Sequence, residues 1–214
     1  MPIGYRLWFG DERKFKGKCL ESIFFTAPGY VYIKRFLLET LARPEKQSFV
    51  TAIFGKPVRY KGTNLYNRAR ALYDVGDSLK SRHQCKTCGQ SAEFFVAEGA
   101  ENDGYAFSPY EFYCSHCRPA NEHRRTVLPI KFSTVATFGH SSDQALAMRH
   151  IRWLLNLDKR MTLEKAVAFF EVMMAVEDVP SAPPLAPVVV SAPATATTKA
   201  ATPKKKLGTQ LTLL

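Results

Sequence analysis

The sequence predicts an α+β protein: a small β-rich and helical N-terminal region, a cysteine-bearing β unit, a helical hairpin and a disordered C-terminal tail. Three observations carry this. Two Cys-x-x-Cys pairs, Cys85/Cys88 and Cys114/Cys117, bracket two stretches in which apolar and polar residues alternate. Two stretches with helical apolar spacing follow them, and beyond residue 178 the composition turns to Pro, Ala, Ser, Thr and Val. Of the 214 residues, 46% are hydrophobic and 12% aromatic, enough to bury a core without the tail.

Residues 1–80 form a basic α+β region with an internal repeat at an offset of 45. "FGDERKFKGKCL" from Phe9 aligns with "FGKPVRYKGTNL" from Phe54: Phe-Gly, four residues, an aromatic, Lys-Gly, two residues, Leu. Each copy is expected to be a strand, a tight turn and a second short strand, with Gly10 and Gly55 in the turns. A helix follows the first copy over "PGYVYIKRFLLETLA", with Pro28 in its opening turn. Cys19 is expected to be an inert buried thiol.

Residues 83–120 contain the strongest signal. Two thiols three positions apart on a tight turn can face one ion, and two such knuckles supply four soft ligands in a tetrahedron. Gly89 sits where the first turn must release the chain. Between the knuckles, "AEFFVAEG" and "YAFSPYEFY" alternate as two strands, and the glycine-bearing "GAENDG" loop absorbs the excess of a 25-residue gap. The unit therefore resembles a zinc ribbon, with one structural Zn2+ on Cys85, Cys88, Cys114 and Cys117. Four thiolates close the coordination sphere and leave no position for water or substrate. His83 and His116 lie near the knuckles, but neither is needed as a ligand. A redox role for Cys-x-x-Cys would require the strand–helix context of a thioredoxin, which is missing.

Residues 121–178 are expected to hold a strand over "VLPIKFSTVATF" and two helices. In "SSDQALAMRHIRWLLNLD", Ser141 or Ser142 is the cap, and Ala147, Ile151, Leu154 and Leu155 share a face. In "TLEKAVAFFEVMM", Thr162 is the cap, and Leu163, Val167, Phe170 and Met174 share a face. The two helices are expected to pack on each other as a hairpin. Residues 179–203 hold six prolines and one charge, Lys199, and read as a disordered linker. Fully extended at about 3 Å per residue, it would reach on the order of 70 Å. Residues 204–214 add three lysines and the apolar "LGTQLTLL".

The net charge of +11 is unevenly spread. Residues 1–83 carry 16 Lys and Arg against 7 Asp and Glu, residues 84–178 carry 10 against 12, and residues 179–214 carry 4 against none. The excess of +9 at the N-terminus points to a polyanion, nucleic acid first. Lys14, Lys16, Lys18, Arg59, Lys61, Arg68 and Arg70 are the candidate phosphate contacts, interleaved with Trp8, Phe15, Tyr60 and Tyr66 as candidate stacking rings. That mixture suits sequence-tolerant binding of DNA. The apolar runs are far short of the roughly 20 residues a bilayer crossing needs, and no basic segment with an apolar signal core opens the chain. No membrane partner and a cytoplasmic location are expected.

Two resemblances bear on function. "FG…KFKGKCLESI…PGYVYIKRFLLE", over residues 5–42 and again over 50–75, resembles the small domain appended to exodeoxyribonuclease-X-like exonucleases and many phage proteins. Here "DER" is inserted between Phe-Gly and the basic pair. The resemblance implies an accessory to DNA enzymes without implying catalysis. Gln210-Leu211-Thr212-Leu213-Leu214 resembles the bacterial sliding-clamp-binding motif, in which Gln bonds the pocket rim and the closing apolar pair enters a deep pocket. Leu214 stands where that motif has Phe, which implies weaker binding. The resemblance implies a bacterial-type sliding clamp as partner, on the bacterial nucleoid or in a phage-infected cell, with Gln210, Leu211, Leu213 and Leu214 as contacts.

The chain carries no P-loop, nucleophile elbow, His-Glu-x-x-His or dense acidic cluster, and Asp11-Glu12 and Asp74…Asp77 read as ordinary turn carboxylates. The expected function is a non-enzymatic DNA-binding adaptor at the replication machinery. A nuclease with a dispersed site is the runner-up, followed by a zinc-ribbon transcription or RNA-binding factor.

Overall fold

A computed structural model describes residues 4–10, 14–99, 104–157 and 161–177. The linker 179–203 and the tail 204–214 lie outside them. Among the described residues the architecture is α+β: a helical body and one three-stranded antiparallel sheet of β1 (Phe94–Gly99), β2 (Tyr105–Tyr113) and β3 (Arg125–Pro129) in the order β2-β1-β3.

The first repeat copy forms a minimal antiparallel pair. Arg6 bridges Cys19, the Leu7 amide donates to Lys18 O at 3.0 Å, and the Leu20 amide donates to Tyr5 O at 2.9 Å. The second copy is not a hairpin. Phe54 closes helix α3 (Gln47–Phe54), and Gly55, at φ 66°, terminates it in the left-handed region. A 3-10 turn, Tyr60–Gly62, then leads into α4 (Asn64–Ser78), whose Thr63 cap accepts from the Tyr66 amide. Helix α3 carries its apolar residues at helical spacing with Val50 buried, so its glycine became a helix stop. What the copies share is the Lys-Gly-x-x-Leu end, which sets a fully buried leucine at a helix start: Leu20 in α1 (Leu20–Phe24) and Leu65 in α4.

Helix α2 (Ala27–Val31) begins as expected, with Pro28 in its first turn and Thr26 Oγ1 accepting from the Gly29 amide at 3.3 Å. It runs on as a π-helix, Tyr32–Thr40, in which the i→i+5 bond from the Leu41 amide reaches Phe36 O at 2.9 Å. In α4 the buried residues Leu65, Ala69, Leu72 and Val75 keep helical spacing. Gly76 lets that helix meet Phe24, since a Cβ there would lie 2.3 Å from the ring.

The core is aromatic. Phe24 sits within 5.0–5.4 Å, mostly edge-on, of Phe25, Tyr30, Phe132 and Phe170. These rings come from α1 and its cap, α2, the 3-10 turn Phe132–Thr137 and α6 (Leu163–Glu177), so Phe24, Tyr30, Phe132 and Phe170 share one core. The stretch expected as one strand over 127–138 divides at Ile130: β3 is Arg125–Pro129, and the remainder coils into that turn. Its tight winding buries Phe132, Val135 and Ala136 against the helices.

Helix α5 spans Ser141–Leu154 with its expected face buried, but His140 is its cap residue and no side chain caps it. Helix α6 is capped by Thr162, whose Oγ1 accepts from the Lys165 amide at 3.4 Å. The expected helical hairpin does not form. Among the described residues, α6 packs mainly on α1 and α4, while α5 packs on α2, the 132–137 turn and β2 (Tyr105–Tyr113).

Candidate functional site

The sheet places the cysteines. Strand β1 (Phe94–Gly99) pairs with β2 from Phe94↔Tyr113 to Gly99↔Tyr105, so Cys114 emerges at the end where β1 begins. The first knuckle reaches the same end as a small hairpin. Gln84 bridges Ser91, the Gly89 amide donates to Cys85 O at 2.9 Å, and Gly89 takes φ 72°, which a side chain would strain. The Lys86 amide donates to Phe112 O at 2.8 Å, stitching this knuckle to β2.

The result gathers Cys85, Cys88, Cys114 and Cys117, with all four Sγ atoms within 4.8 Å of one another and the Cys88–Cys114 pair at 3.6 Å. A tetrahedron with metal–sulfur bonds of about 2.3 Å has sulfur–sulfur edges of roughly 3.8 Å, so the cluster can hold one metal ion with small adjustments. Cys85 and Cys114 are buried, Cys117 is half-buried and Cys88 faces solvent. Burial works to raise the Cys85 thiol, but amides of Cys114, Cys88 and Thr87 bond its sulfur and hold it down at about 6. Hydrogen bonding to Cys88 and Cys114, followed by burial, pushes Cys117 up to about 12. A divalent ion would let all four become thiolates. His116 is exposed and outside the cluster, and His83 lies between the rings of Phe112 and Trp153 instead.

Lys14, Lys16 and Lys18 are exposed just before α1, and Arg59 and Lys61 are exposed at the 60–62 turn. Arg68 is engaged internally: its guanidinium meets the fully buried Glu21 carboxylate at 2.8 Å, which also accepts from the Tyr5 amide at 2.9 Å. Arg70 pairs with Asp74 at 2.8 Å, one helical turn on. Asp74 and Asp77 stand in α4 rather than on a turn, and Asp77 accepts from the Ser133 amide at 2.8 Å.

Of the candidate rings, Trp8 is 44% exposed, held by Phe9 and Phe54 edge to face. Tyr60 is buried at 3% exposure and is a core residue, with Tyr66 edge-on to it. Among the described residues, the exposed rings of Phe49, Tyr105, Tyr110 and Trp153 escaped the sequence, Tyr110 and Phe49 being the most exposed. Phe49 on α3 is 48% exposed, and Tyr110 is 81% exposed. Tyr110 rides a bulge in β2: residues 108–111 stand opposite Val96 alone, anchored where Glu111 meets Lys86 at 2.8 Å and also Arg125. Pro109, in an otherwise alternating stretch, was the available signal. Cys19 is buried, as expected.

Among the described residues, no helix is long and apolar enough to cross a membrane. Gln210, Leu211, Leu213 and Leu214 lie outside the described residues. No protein-family model, curated protein or solved structure matches this chain.

Proposed function

We propose that this protein is a zinc-stapled, non-enzymatic DNA-binding accessory factor that reaches the bacterial or phage replication machinery through its clamp-motif-like tail. The observation that carries it is the four-thiol cluster, whose donors are all soft and whose coordination sphere is complete without solvent. Such a site holds a fold and does not activate water. Supporting it, Lys14, Lys16, Lys18, Arg59 and Lys61 remain on the surface of the region with the +9 excess.

Metal analysis of the purified full chain should give one zinc per molecule. A titration of a labelled peptide of residues 204–214 against a purified bacterial sliding clamp should show micromolar binding, tightened by Leu214→Phe and weakened by Gln210→Ala. No binding at several hundred micromolar would remove the clamp from the proposal while leaving zinc and DNA in place. Cleavage of a fluorogenic DNA with magnesium or manganese would instead establish a nuclease.

A further inference from the structure

Three aromatic rings of the basic region form a column. Phe15 stacks on Tyr32 with centroids 4.4 Å apart and planes at 27°, and Tyr32 stacks on Phe36 at 5.0 Å and 26°. Tyr32 and Phe36 are four residues apart on the π-helix, whose wider turn brings such pairs nearly into line. A π-helix of nine residues is an uncommon element, and its insertion here builds the stack. Phe36 is covered in turn by the edge of Phe49.

The other end of the column opens outward. Phe15 lines a groove of about 460 Å³ with Lys14, Lys18, Ser22, Thr26 and Pro28. Among its described lining residues there is no carboxylate. Ser22 Oγ and Thr26 Oγ1 donate to Cys19 O and Ile23 O, which holds the wall rigid. Burial raises the Tyr32 phenol to about 12.

We propose that this groove takes one nucleobase of single-stranded nucleic acid, stacked on Phe15 as a fourth member of the column, with the flanking phosphates on Lys14 and Lys18. The inference rests on the nucleic-acid function proposed above and names the strand type and the residue that reads it. A ring stack accepts any base, because every base has a π-face, so the site binds without sequence preference. A duplex would have to unstack a base first and is disfavoured. Trp8 is the more exposed ring, but its groove carries the Glu171 carboxylate, which repels a phosphate.

The test uses the full zinc-loaded chain and three labelled ligands: a short oligothymidylate, an abasic strand with the same number of phosphates, and a duplex. Wild type should bind the oligothymidylate most tightly. Phe15→Leu, which keeps apolar bulk but removes the ring, should weaken that binding about tenfold and leave the abasic strand unaffected. Lys14→Gln with Lys18→Gln should weaken both and reduce the salt slope by roughly 1.4. A 2-aminopurine in the strand should be quenched by wild type and less so by Phe15→Leu. If Phe15→Leu loses its circular dichroism, wild-type quenching and its retention in Phe15→Trp carry the test. Equal losses on abasic and base-bearing strands, or no quenching at any strand position, would overturn the stacking site. Failure of wild type to bind all three ligands would overturn the nucleic-acid function itself.

Discussion

The helical body and the cysteine-bearing sheet are stabilised in different ways. The body buries Phe24, Tyr30, Phe132, Phe170 and many aliphatic residues around them, and its fully buried carboxylate, Glu21, has a guanidinium and an amide as partners. The sheet buries little of its own beyond Phe95, Val96, Ala97, Phe112 and Val127, and leaves Tyr110 and Cys88 in solvent. The buried face of the sheet joins the body's core through Phe95, Ala97 and Phe112, and its cysteine end adds the thiol cluster, which a metal ion would cross-link, and the Lys86–Glu111–Arg125 cluster along β2. Burial of rings tolerates chelators, and a metal staple does not.

Removing the metal should show the largest difference. Chelation, or Cys85→Ser, should abolish amide-exchange protection over residues 84–129 while helices α1 and α4 stay protected, and should lower the melting temperature by on the order of 10 °C. Uniform loss of protection throughout would mean that the two regions are one cooperative unit.

Next is Phe24→Ala, which should cost about 3–5 kcal/mol by denaturant titration, because the cavity it leaves is walled by four other rings and cannot collapse easily. It should leave zinc content unchanged. Arg68→Ala should cost about 2–3 kcal/mol by uncovering the buried Glu21 carboxylate, against about 0.3–0.5 kcal/mol for Arg70→Ala at the exposed pair with Asp74.

The last expected effect, confined to acid pH, is a pH dependence at the seam between β2 and α5. Burial, followed by the nearness of His83, lowers His150 from 6.5 to about 4, and its Nε2 has no partner. A histidine that stays neutral in the folded state while the unfolded chain protonates costs stability as pH falls from about 6.5 to 4. None of that loss operates above 6.5. His150→Phe should flatten this limb of a melting-temperature profile without changing the value at pH 8.

The sequence made the sheet more legible than the body. Cysteine spacing and period-2 alternation are local signals, and they located both knuckles, β1 and β2. The apolar faces of α5 and α6 were equally local, and Ala147, Ile151, Val167 and Phe170 are all buried. Which partner each face meets is not a local property: α6 turned to α1 and α4, at the far end of the chain, rather than to its neighbour. Charge suffered the same ambiguity. Arg68 and Lys61 look alike in sequence, yet one is bound to Glu21, forty-seven residues away, and the other is exposed. The Phe-Gly repeat misled because its second copy begins inside α3, where a glycine stops a helix instead of turning a hairpin.

The ring cluster around Phe24 also has a timing consequence. Phe24 leaves the ribosome well before Phe132 and Phe170, the rings it meets at 5.0 and 5.1 Å. At roughly 5–20 residues per second, synthesis leaves that apolar surface without its partners for roughly 7–30 s. Slow codons before Phe170 should lower the soluble yield of this protein more than equally slow codons after it.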